Sequence, residues 1–352
     1  MTAARATTLP RRARGWARRH RRPLLIGLAG AVLAVGTATL IGKAAGYTRL
    51  LDSLRGANLH WLPVLAGGQV LAYLGYILAY RATARVNGGP QLPFALTTWV
   101  VAASFGAYAV ANAIGALGVD YWALRRTGAG HHGAFTRIIA FKTLEWAVLS
   151  SVVAVLAALV LAGVSPPVRT ELALAWVAVV PVCFLAGRWV TSPRRVERLT
   201  RSQGVGRARR LVSDTISSVV IVRQILARPR AHLEAVGGAV LYWTGDILTL
   251  WAGLRAFDVH IDPIPLVVGY ATGYVVTMLP LPFGGVGGVD AAMTYALTLV
   301  GVPLGPALLA VFAYRFFTFW LPFLPGLLAG ATLPAAYDRL PTVPHPAAGR
   351  SP

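Results

Sequence analysis

Ile264–Val300 reads IPLVVGYATGYVVTMLPLPFGGVGGVDAAMTYALTLV, an apolar stretch broken near its middle by prolines, glycines and an acid. A helix crosses a hydrocarbon core of ~30 Å with about 20 residues. This stretch is longer than that, so it is expected to hold two shorter helices about a break. Broken backbone in lipid leaves amides without partners unless protein or a wet cavity shelters it. The stretch therefore points to a helical membrane protein whose interior can hold polar groups.

Seven further apolar segments accompany it: Leu24–Ile41, Leu62–Tyr80, Phe94–Leu117, Ala134–Val164, Leu172–Val190, Ala235–Leu254 and Ala307–Leu333. The chain is 56% hydrophobic and 13% charged, about half the charged share of a soluble domain. The expected fold is an all-α polytopic membrane protein with six to eight transmembrane helices, two Gly-rich re-entrant or broken segments and an inverted repeat. Leu24–Ile41 is too long for a secretory signal core and reads as a retained first span. The lone cysteine, Cys183, lies in an apolar block, offers no disulfide and reads as a small buried hydrophobe.

The formal charge is +21, with 8 arginines in residues 1–22 and 11 more from Arg188 to Arg230. Both clusters abut apolar spans, so positive-inside orientation and contact with anionic lipid headgroups explain them better than nucleic acid does. A cytoplasmic N-terminus follows, in the inner or plasma membrane. If both clusters are cytoplasmic, an even number of crossings separates them, yet five apolar segments do. Phe94–Leu117 is the segment expected to turn back, because Arg81 and Arg85 precede it and Arg125, Arg126 and Arg137 follow it. The organisation expected is a basic tail (1–22), a transmembrane domain (23–333) and a Pro-rich tail (334–352). Within that domain, a basic loop (191–230) should carry an amphipathic interfacial helix with Leu211, Thr215, Val219 and Val222 on one face.

Gly115-Ala-Leu-Gly118-Val-Asp120 recurs 170 residues later as Gly285-Val-Gly-Gly288-Val-Asp290. Paired Gly/Pro interruptions at corresponding positions of two halves mark the central site of a transporter. Close packing through small residues explains the glycines equally well, but it does not call for a repeated acid. Asp120, Lys142, Glu145, Asp246, Asp290 and Arg315 fall in or beside apolar segments, where each charge costs several kcal/mol, roughly 2.5 to 3.5. Lys142 and Glu145 can pair three apart on one face, and Asp290 is the expected mate of Arg315 because its segment directly precedes the Arg315 helix. The functional reading is a substrate site in which Lys142, Arg315 and backbone amides near Gly115, Gly118, Gly285 and Gly288 attract a phosphate. Asp120, Glu145, Asp246 and Asp290 would hold the cations when the site is empty.

Leu279-Pro-Leu-Pro-Phe-Gly-Gly-Val-Gly-Gly-Val-Asp290, Gly301-Val-Pro303 and Ala313-Tyr-Arg315-Phe-Phe-Thr318 resemble the flippase-like transmembrane domain of bacterial lysylphosphatidylglycerol synthases and their stand-alone relatives. Gly115–Asp120 followed by Arg125 and Arg126 resembles that family's earlier acidic glycine element. Here Asp290 replaces the usual Glu, no proline stands near Asn112–Ile114, and Phe141-Lys142 replaces a Glu-Arg pair. The resemblance implies a translocase that moves an anionic phospholipid or a polyprenyl-phosphate-linked lipid between leaflets, without the soluble aminoacyl-transferase half.

Two other classes compete. A membrane glycosyltransferase or phosphatase would use Asp120, Asp290 or the loop pair His131-His132, but no HExxH, DxD or phosphatase pattern is present, so no enzyme is expected. A non-catalytic partner of a cell-envelope enzyme would need no site chemistry at all; the protein partners expected are such an enzyme or a second copy of the chain. No nucleotide-binding loop, cofactor motif or metal spacing occurs, which leaves passive or ion-coupled movement.

Overall fold

The computed structural model describes residues 56–166, 168–190, 192, 207–279, 281 and 285–339. The expected first span Leu24–Ile41, the tail 1–22, most of the Arg-rich loop before residue 207 and part of the proline-glycine run lie outside these residues. The described part is all helical. Its ten α-helices are α1 Leu62–Arg85, α2 Phe94–Arg126, α3 His131–Leu161, α4 Thr170–Val190, α5 Arg207–Ala227, α6 Leu233–Ala256, α7 Pro263–Tyr274, α8 Gly288–Leu299, α9 Leu304–Arg315 and α10 Leu321–Arg339. Five helical stretches among the described residues are long and apolar enough to cross a membrane: Leu59–Gly88, Phe94–Ala111, His131–Leu161, Thr170–Trp189 and Leu304–Arg339. The chain is an all-α polytopic membrane protein.

The frame is the antiparallel pair α1 and α6, each 24 residues or ~36 Å long. Glycines bring their backbones into contact, since a Cβ on Gly75 would lie 2.3 Å from the Tyr242 nitrogen and one on Gly245 2.4 Å from the Ala72 nitrogen. Without a hydrophobic drive between helices in lipid, such close packing supplies the association. At one end Arg81 and Arg85 meet Glu234. At the other, the Asn58 N–H donates to the Ala256 carbonyl (2.8 Å) and Trp61 packs edge-on against Trp251. The pair thus defines a basic end and an opposite end. Arg137, near the start of α3, donates to the carbonyls of Ala84 (2.9 Å) and Val86 (3.2 Å) at the basic end.

α2 is helical along its length but doubled back on itself. Ser104 Oγ donates to Asp120 Oδ1 at 2.6 Å, whereas sixteen residues of straight helix would separate these positions by ~24 Å. The turn lies ahead of Gly115, where Ile114 is exposed and a Cβ on Gly115 would stand 2.4 Å from the Ala107 carbonyl oxygen. Both ends of this hairpin sit at the basic end, with the Leu92 carbonyl held by Arg81 Nε (2.9 Å) and Ala123 held by Tyr337 of α10 (2.8 Å).

α7 and α8 make a second hairpin. Each is 12 residues, half a crossing, and a Cβ on Gly273 would lie 2.5 Å from the Met293 Cα. Its base follows α6 and precedes α9, so it starts from the opposite end. The two tips meet: Val286 of the second hairpin is buried in one cluster with Ala109 of the first and with Phe319. Phe319 lies in a five-residue π-helical turn, Phe316–Trp320, that joins α9 to α10, a geometry that favours functional sites.

Several sequence expectations are corrected. Gly115–Asp120 is not itself the first break; the chain turns just before Gly115, whose missing side chain lets the two arms touch. Gly118 lies within the second arm and faces open space. His131 and His132 open α3 rather than sit in a loop. α5 buries Asp214, Ile216, Ser218, Ile221, Val222 and Ile225, while Thr215 is exposed. Its buried face is rotated because it packs on the first turns of α3, with Ser218 Oγ donating to the Thr136 carbonyl (2.9 Å). Cys183 is exposed, since α4 packs against α3 on one side and presents an outer face of Val182, Phe184 and Leu185. The C-terminal tail begins later than residue 334, because α10 continues to Arg339.

Candidate functional site

Lys142 stands eleven residues into α3 (131 to 142), ~16 Å from the basic end. Arg315 stands eleven residues into α9 (304 to 315), a similar depth from the opposite end. Helical rise alone therefore puts both cations near mid-depth, where the two hairpin tips meet.

Around Lys142, the ammonium donates to the Tyr76 hydroxyl (2.6 Å) and to Glu145 Oε2 (2.9 Å). It also lies over the Tyr76 and Phe141 rings, 4.5 and 4.9 Å from their centroids. The Lys142 side chain keeps 34% exposure while Glu145 is buried, so the cation is reachable and its counter-ion is not. Trp243 Nε1 fixes the helix there by donating to the Glu145 carbonyl (2.8 Å). Asp120 is fully buried on the second arm of α2, takes its bond from Ser104, and lies within Coulombic range of Lys142.

Around Arg315, Nε lies 2.8 Å from Asp290 Oδ1 and the guanidinium lies over the Phe319 ring at 4.5 Å. Asp290 has a second anchor, since its Oδ2 accepts the Gly287 N–H at 2.9 Å. That bond caps α8, and it exists because Gly285 and Gly287 take positive φ, 74° and 83°, which side chains resist. Gly288 begins the helix beyond this turn. One residue before Arg315, Tyr314 donates to Asp246 Oδ2 (2.6 Å), and Tyr270 of the second hairpin donates to the same oxygen. Asp246 thus ties α6, α7 and α9 into one knot, extended by the Tyr242 and Tyr274 hydroxyls 3.1 Å apart.

The structure brings Lys142, Glu145 and Asp120 into one half-site and Asp246, Asp290, Arg315, Gly285 and Gly288 into the other. Gly115 seals the first hairpin, and Gly118 instead lines a separate cavity of about 730 Å³ at the basic end with Tyr121, His131, His132 and Asp214. Sequence reading missed Ser104, Tyr76, Tyr270 and Tyr314. The available signal was chemical: a buried carboxylate needs donors, and Tyr314 adjoins Arg315.

Each half-site can offer a reachable or forked cation to an anion with three or more oxygens while its carboxylates hold the cation when no anion is present. Among the described residues no group of three or more His, Cys, Asp or Glu side chains converges as a metal site would require. Comparison with curated proteins finds no match. The sequence model of the lysylphosphatidylglycerol synthase TM region matches residues 24–326, and the chain belongs to that family.

Proposed function

We propose that this protein moves an anionic phospholipid or a polyprenyl-phosphate-linked lipid between leaflets, and that it is a translocase rather than an enzyme. The observation that carries the reading is the meeting of two helical hairpins from opposite ends beside two mid-depth cations, each held by buried acids. In this reading the hairpins are re-entrant, the basic end is cytoplasmic in the plasma membrane, and the Arg-rich segments rest on anionic headgroups. Lys142 and Arg315 take the phosphate, and the acyl or prenyl chains stay in lipid. The short span of a hairpin lets a polar group pass a thinned barrier, which lowers a cost that otherwise blocks charged headgroups.

The test is a leaflet-resolved assay in proteoliposomes of the purified chain, with fluorescent lipids that differ only in headgroup. The expected result is faster transfer of phosphate-headed anionic lipids than protein-free vesicles allow. Headgroup conversion without transfer would replace this reading with an enzyme, and neither activity would replace it with an assembly partner.

A further inference from the structure

The Lys142 half-site holds one cation and two acids. Asp120 and Glu145 sit on facing elements, the second arm of the first hairpin and α3, within Coulombic range of each other. Each has one buried oxygen without a hydrogen-bond donor, Oδ2 of Asp120 and Oε1 of Glu145. The groups that face the pair are Tyr76 and Tyr80 from α1, Ser104 from the first arm, Lys142 from α3, Tyr242 from α6, Tyr274 from α7 and Tyr337 from α10. Lys142 is the one cation among these.

In the empty site Lys142 balances the Glu145 carboxylate, and the Ser104 hydroxyl holds Asp120. A lipid phosphate that docks on the reachable side of Lys142 adds a further negative charge to the same ammonium, in a setting where surplus buried charge is expensive. The other half-site differs: Asp290 keeps the Gly287 N–H when Arg315 turns to a ligand, and a guanidinium has five donors to share. Glu145 has no such reserve, because Lys142 is the only donor found for its carboxylate among the described residues. A metal ion would need several oxygens around it, and no such convergence occurs among the described residues. A proton needs only the donorless oxygen.

Resting on the lipid reading above, we propose that docking of a phosphate headgroup at Lys142 is coupled to uptake of one proton from water by the Asp120–Glu145 carboxyl pair. The step converts one carboxylate to a carboxylic acid, and no bond to the lipid forms or breaks. Either donorless oxygen, Asp120 Oδ2 or Glu145 Oε1, can take the proton. The loaded site then carries an anionic lipid together with a proton. The sign of the linkage follows: the complex holds more protons than the free protein, so binding is strongest at low pH and weakens as pH rises.

The test is calorimetry on the purified full chain in detergent, titrated with short-chain phosphatidylglycerol in two buffers of different ionisation enthalpy. A phosphodiester is the right probe because its own charge is fixed over the working range. The expected result is uptake of about one proton per lipid bound, with affinity falling up to roughly tenfold per pH unit across the window of uptake. In the Asp120→Asn/Glu145→Gln double variant, uptake vanishes and affinity becomes independent of pH. Binding by the wild type without proton uptake overturns the coupling alone and leaves the lipid reading intact. The coupling is likewise overturned if the double variant takes up protons as the wild type does. Absence of lipid binding at every pH overturns both, and because the wild-type stoichiometry decides the matter, a poorly folding variant does not shelter the proposal.

Discussion

Arg315 is held on two sides by different physics. Asp290 supplies charge at 2.8 Å and Phe319 supplies a π face at 4.5 Å, while the neighbouring Tyr314 is fastened to Asp246. If the guanidinium binds phosphate through its fork, Arg315→Lys keeps the charge but loses bidentate geometry. Lipid transfer should then fall about tenfold or more, ~1.4 kcal/mol of lost binding, with thermal unfolding nearly unchanged. Asp290→Asn alone removes the partner of a buried cation and should cost about 3 to 5 kcal/mol, visible as a lower unfolding temperature. Adding Arg315→Gln removes the stranded charge, so the double variant should recover stability without recovering transfer. Recovery of both would reduce the pair to a packing device.

At the scale of elements, the glycine seams decide how close the helices come. Gly75→Ala places a Cβ 2.3 Å from backbone nitrogen of α6, and backbone cannot rotate away as a side chain can. The helices must part, at a cost toward the upper end of the ~1–3 kcal/mol typical of overpacking. Gly67→Ala, eight positions earlier on the same helix, meets nothing within 4 Å and should be silent or slightly stabilising. Comparing the unfolding temperatures of the two variants checks this. Sequence reading missed the seam, although Gly68 and Gly75 on α1 and Gly238 and Gly245 on α6 repeat at the same seven-residue spacing.

The second break was legible, because proline and glycine punctuate Leu279–Asp290 where the backbone needs positive φ. The first turn was only half legible. Arginines on both sides of Phe94–Leu117 indicated a segment that returns, but the chain reverses between Ala107 and Gly115, where residues 108–114 carry neither glycine nor proline. The first arm packs against α10, where Gly326 meets Gly106, and this tertiary contact carries no local sequence signal for the turn. The partners of Asp120 and Asp246 were illegible by spacing, because Ser104, Tyr270 and Tyr314 reach them only after the hairpins have folded.

At the scale of the whole molecule, α1 and α6 act as a fixed post, and the two hairpins approach it from opposite ends. Gly115–Asp120 and Gly285–Asp290 are then counterparts in depth: the first follows its hairpin turn and the second contains it, and each places an acid within two helical turns of it. The correspondence is of charge and depth rather than of backbone shape, since Asp290 caps a helix while Asp120 sits inside one. The most direct measurement is sided labelling of single cysteines in intact cells on a Cys183→Ser background. Asn87 and Gly130 flank the first hairpin, and Asp262 and Gly301 flank the second. Inverted hairpins predict that Asn87→Cys and Gly130→Cys label from the cytoplasmic side only, and Asp262→Cys and Gly301→Cys from outside only. Opposite-side labelling within either pair, or all four sites on one side, would contradict the arrangement.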